Sequence, residues 1–111
     1  MGITGESERV VTAEMAPEHL RQIVLSTPFM IALIEGVCLD SVASHLDEDE
    51  TTVGTHVCVS HESAVLEGET FFIRSILTSI DRRRLNFDIE VDGPRGPVSR
   101  GTHQRAVIKT K

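Results

Sequence analysis

An α+β fold, with an antiparallel sheet curled around one long central helix, is predicted by three observations. Apolar residues recur on nearly every face of a stretch that begins at Thr27, which marks a buried helix and not a surface one. Beyond Thr52 the apolar period drops to two, the spacing of strands. Short turns join those strands, and short turns join antiparallel neighbours. The 111 residues suit one domain covering residues 1–111.

The elements follow in order. A first strand is expected over Arg9–Met15, where Val11, Ala13 and Met15 alternate with Thr12 and Glu14, and Pro17 ends it. Glu18–Leu25 reads as a short helical turn or a lid. Ser26-Thr27-Pro28 opens the helix, with Thr27 as N-cap and Pro28 at the first helical position. Met30, Leu33, Ile34, Val37, Cys38 and Leu39 cover most of its circumference. It is expected to end near Leu46, at the acidic run Asp47-Glu48-Asp49-Glu50, which reads as a solvated loop. Val53–Val65, Phe71–Ile80, Leu85–Val91 and Val98–Lys109 then form four strands in a meander, punctuated by Gly68, by Asp81–Arg84 and by Asp92–Pro97. One helix covers only part of such a sheet, and a chain this short has a thin core, so a homodimer is predicted.

Composition excludes several functions. Seventeen acidic against eleven basic residues give a net charge of −6, and there is no Trp or Tyr. Nucleic-acid binding needs clustered cations and stacking platforms, and this chain has neither in abundance. No apolar run spans a bilayer and no basic-then-apolar leader opens the chain, so a cytoplasmic protein is expected, with no membrane partner. Cys38 and Cys58 lie in apolar runs and make no disulfide framework. His19, His45, His56, His61 and His103 have no metal-ligand spacing, and no phosphate-binding glycine loop or dinucleotide fingerprint is present, so neither metal nor cofactor is expected. Residues 1–69 hold thirteen acids and two bases, residues 70–111 nine bases and four acids. That asymmetry reads either as solubility alone or as cations offered to an anionic ligand.

Glu35 is the most informative residue. It is the only charged side chain between Arg21 and Asp40, set mid-helix among Leu33, Ile34 and Val37. A carboxylate there either lies on a narrow wet stripe or sits in a half-dry pocket as nucleophile or general base. Thr27 is explained as a cap, yet a helix N-terminus also offers donors to a developing oxyanion. Gly36 admits close approach of a backbone or a ligand. His61, on a strand face with Val57 and Val59, is structural or catalytic, whereas His56 falls on the opposite face. His103 and Arg105, two apart on the last strand, share a face, either solvated or aimed at one ligand.

Three stretches resemble the fluoroacetyl-CoA thioesterase group of the hotdog-fold superfamily: Ser26–Glu35 (STPFMIALIE), Val53–His61 (VGTHVCVSH) and Gly101–Ile108 (GTHQRAVI). The resemblance runs from the first strand to the last. It implies a hotdog fold and a dimer with active sites at the subunit interface. It assigns Thr27, Glu35 and His61 to catalysis, puts Gly54 beside the thioester, and places His103 and Arg105 in ligand binding. The activity it implies is hydrolysis of an acyl-CoA thioester. Where the fluoroacetyl-specific enzyme has gating phenylalanines, Glu18–Leu25 has none. The expected substrate is therefore a small or medium acyl-CoA, with a carrier-protein thioester as another. The alternative from a different class is a non-catalytic acyl-CoA-binding module; a hotdog dehydratase comes third.

Overall fold

The computed structural model describes residues 2–19 and 21–110. Its elements are β1 (Thr4–Val10), α1 (Thr27–Ala43), β2 (Glu50–Val59), β3 (Thr70–Asp81), β4 (Arg84–Gly93) and β5 (Gly96–Lys109). The strands form one curled antiparallel sheet in the order β1-β3-β4-β5-β2, with α1 packed on β1, β2 and β3. This is the α+β arrangement that the alternation predicts. Phe71, Ile73 and Leu77 of β3, Leu85, Phe87, Ile89 and Val91 of β4, and Val98 of β5 point inward. They meet Met30, Ile34, Cys38 and Val42 of the helix.

Several expectations are corrected. The first strand lies upstream of Arg9–Met15: Thr4–Val10 pairs with β3 from Thr4↔Ile76 to Val10↔Thr70, and Ala13–Met15 is a single 3₁₀ turn. Val11 and Met15 are buried while Ala13 is exposed, a spacing of four that only resembles alternation. An edge strand needs backbone pairing on one side only, so its polar sequence sufficed. Glu18–Leu25 forms no helix among its described residues, and Leu20 lies outside them. Val24 instead bridges Leu66, and Leu25 N–H donates to the Val65 carbonyl.

α1 stops at Ala43, three residues short of Leu46. Its buried residues Met30, Ile34, Cys38 and Val42 recur every fourth position, so a single stripe is covered within the chain. Ile31, Leu33, Val37 and Leu39 are half-buried and Ala32 is exposed. β2 begins at Glu50, inside the acidic run, and ends at Val59, six residues before the expected Val65. Nor do the four C-terminal strands form one meander. β3, β4 and β5 do, but β2 pairs with β5, from Glu50↔Lys109 to Val59↔Gly101. The ten-residue link 60–69 crosses the sheet instead of turning back on it, since a tight hairpin would need only two to five residues.

Candidate active site

Two clusters of polar side chains lie along α1. The first is at its N-terminus. Ser26, not Thr27, is the N-cap: its Oγ accepts from Phe29 N–H at 3.3 Å. Thr27, at the first helical position, is thereby relieved of capping, and its hydroxyl lies 2.7 Å from His61 Nδ1. His61 is two residues beyond the end of β2, on the crossing link and not on the expected strand face. Burial lowers its pKa, which favours the neutral ring that accepts a hydroxyl proton. The pair walls an open hollow of about 590 Å³ whose other sides include Pro17, Val24, Leu25 and Pro28.

The second cluster lies mid-helix, between α1 and the inner face of β2 and β5. Glu35 is 38% exposed at its side chain, so neither fully dry nor on a wet stripe. Its Oε1 accepts from Arg105 Nη1 at 3.4 Å. Arg105 is 5% exposed. Its Nε donates to Thr52 Oγ1 at 2.7 Å and its Nη2 to the Thr52 carbonyl at 2.9 Å. A buried cation is tolerated when its donors are matched in this way. His103, 1% exposed, lies between: Nε2 is 3.2 Å from Arg105 Nη1 and Nδ1 is 2.8 Å from the His56 carbonyl. Burial lowers the pKa of His103 too, and the neighbouring guanidinium acts in the same direction. Phe87 stacks over its ring at 6.3 Å.

Gly54 completes this cluster. A Cβ there would collide with Glu35 Oε1 and stand 3.3 Å from His103 Cε1. The missing side chain is the seat of the carboxylate. A bulge between Gly54 and His56 interrupts the β2–β5 register at this place, where bulges commonly re-aim a side chain. Gly36, by contrast, meets nothing within 4 Å, so the close approach expected there does not occur within the chain. Thr52 and the His56 carbonyl escaped the sequence reading. Their signal is the β2–β5 pairing, which no local pattern announces.

The two clusters are separate in one chain. Thr27 and Glu35 stand eight residues apart on α1, about 12 Å of helical rise. His103 and Arg105 do share a face, and that face is buried: their polar atoms bond the protein. The cations of the C-terminal segment are largely engaged as well. Arg95 pairs with Glu69 at 2.6 Å, Arg100 and Arg74 with Asp92 at 2.7 and 2.6 Å, and Lys109 with Asp49 at 3.3 Å. Much of the charge asymmetry is thus consumed in ion pairs. Among the described residues no group of three or more His, Cys, Asp or Glu is placed to hold a metal ion, and no helix is long and apolar enough to cross a membrane.

Residues 6–111 match the family described as fluoroacetyl-CoA-specific thioesterase (FlK). The fluoroacetyl-CoA thioesterase of Streptantibioticus cattleyicolor is 35% identical over 85 residues, 77% of this chain. The match spans 61% of that relative's length. A solved structure of the fluoroacetyl-CoA thioesterase FlK superposes with a TM-score of 0.92 at 30% identity, covering 98% of this chain and 87% of that one. A Thermus thermophilus protein of the thioesterase superfamily, 20% identical, superposes with a TM-score of 0.89 over 98% of this chain and 83% of its own, a likeness of fold.

Proposed function

The chain belongs to the fluoroacetyl-CoA-specific thioesterase family, and we propose that it is an acyl-CoA thioesterase releasing a small or medium acid and CoA. The observation that carries this reading is the 2.7 Å contact of Thr27 with a neutral His61 on the wall of an apolar hollow. The Thr27 backbone N–H holds the thioester carbonyl oxygen, while its hydroxyl proton is given to His61. Pro28 has no N–H, and that of Phe29 is taken by Ser26. Glu35 draws a proton from a water that attacks the carbonyl carbon, or itself attacks to form an anhydride that water then opens. In either route the C–S bond breaks, the oxygen of water ends in the acid, and its proton reaches the sulfur through His61. None of Glu18, His19, Val24 and Leu25, which line the hollow, is a phenylalanine, and this suits acyl groups larger than a two-carbon unit.

In this reading the chain is a single domain acting as a homodimer. Glu35 of one protomer meets Thr27 and His61 of the partner subunit, which supplies what the 12 Å separation denies a single chain. The half-covered face of α1 and the free edge of β2 are the surfaces available for the contact. Two free thiols, buried Cys38 and exposed Cys58, suit a reducing cytoplasm. Burial raises the Cys38 pKa to about 11, so it is inert as a nucleophile. The second reading, a non-catalytic acyl-CoA-binding module, draws on that same separation. A panel of acyl-CoAs with a thiol reagent decides between them. Thiol release that disappears in Glu35→Ala supports hydrolysis, whereas thermal stabilisation by acyl-CoA without release supports the module.

A further inference from the structure

We propose that His103 is a positioning residue whose unprotonated Nε2 accepts from Arg105 and thereby aims the guanidinium at Glu35. The proposal rests on the reading of Glu35 as the reacting carboxylate. His103 is buried under Phe87, so it is unsuited to touching a ligand directly. Its hydrogen bonds define its state instead. The His56 carbonyl, 2.8 Å from Nδ1, can only accept, so the ring proton is on Nδ1. Nε2 then presents a lone pair to Arg105 Nη1 at 3.2 Å. Thr52 holds the other two nitrogens of the guanidinium, at Nε and Nη2. With Nε and Nη2 held, the planar fork sets where Nη1 lies, and Nε2 takes up one of its two N–H donors so that the other is left for Glu35 at 3.4 Å.

The β2 bulge places both the seat of Glu35 at Gly54 and the acceptor of His103 at His56 within three residues. Burial, helped by the neighbouring cation, outweighs the His56 carbonyl and Glu35, which favour an imidazolium, and an imidazolium would have no acceptor toward Arg105. A side chain needed only for volume would not require a particular tautomer.

Two measurements test the relay. Long-range proton–nitrogen correlation spectra of the histidine rings at neutral pH are expected to show His103 with Nδ1 protonated and Nε2 bare. An Nε2–H tautomer, or an imidazolium, overturns the proposal. Two variants then separate the ring's two bonds: His103→Asn keeps a donor for the His56 carbonyl, and His103→Gln keeps an acceptor for Arg105. We expect His103→Asn to lose about 10-fold in kcat at nearly constant KM, and His103→Gln to stay within about threefold of the parent. Full activity in His103→Asn, or equal losses in both with raised KM, overturns it. If Glu35→Gln retains full activity, the reading of Glu35 as the reacting carboxylate fails instead, while the ring spectrum still decides the hydrogen-bond relay.

Discussion

Thr27 and His61 meet at the open end of α1, whereas Glu35, Arg105 and His103 meet between the helix and the sheet. The first pair is joined by one hydrogen bond and rests on a crossing link. In the second, three elements and a β-bulge interlock, and the guanidinium has four protein contacts. The contrast suits the chemistry proposed for each. A group that must exchange protons with a substrate needs access, while a carboxylate that must hold one position needs a rigid frame. A buried frame also carries a penalty if broken, because an unmatched buried cation costs about 3–5 kcal/mol. The open pair has no comparable penalty and is free to reorganise around a ligand.

The comparison can be broken most decisively by mixing inactive variants. If each site combines the frame of one protomer with the open pair of its partner, Glu35→Gln and His61→Ala chains refolded together regain about a quarter of parental activity, because half the dimers are mixed and each holds one intact site. No recovery would place both clusters of a site in one chain. Gly54→Ala sharpens the frame's role. The added methyl displaces the tip of the Glu35 side chain rather than any backbone, so folding should survive while kcat falls about 100-fold. Thermal unfolding and turnover measured side by side check it; a parental kcat would show that the seat is dispensable.

At the open pair a smaller change is expected. Thr27→Val removes the hydroxyl that His61 accepts and should lower kcat about 10-fold, with Thr27→Ser restoring most of it. Because Ser26 provides the cap, neither substitution should alter helix stability measurably. The smallest effect is on stability against pH. Burial lowers the pKa of both His61 and His103, so the unfolded chain binds their protons first as pH falls below the ordinary value of 6.5. Stability is therefore full above that pH and declines below it. Denaturant midpoints between about pH 7 and 5 should fall less steeply in His103→Gln than in the parent.

What could be read from sequence divides along the range of the interactions. The helix, its start near residue 27 and the hairpins joining β3, β4 and β5 follow from patterns a few residues long. Glu35 stands out because a lone charge in an apolar helix is costly, and the pairing of His103 with Arg105 follows from the period of two. The capping role passed from Thr27 to Ser26 because two adjacent hydroxyls satisfy the same local rule, and only contact with His61 separates them. β2 shows the limit most plainly. Its alternation was visible, but its partner lies some fifty residues away, and Thr52, Gly54 and the His56 carbonyl acquire roles only through that pairing.

Local spacing by itself determined which residues bear charge in an apolar setting, and which side chains share a face, because dihedral geometry repeats every two or 3.6 residues. Tertiary structure decided which of them touch. The sheet order set β2 against β5, and the crossing link carried His61 to the helix start. The cost of burying a guanidinium without partners gathered Thr52, His103 and Glu35 around Arg105. Such contacts depend on loop closure and desolvation across the whole chain, and no short window of sequence contains either.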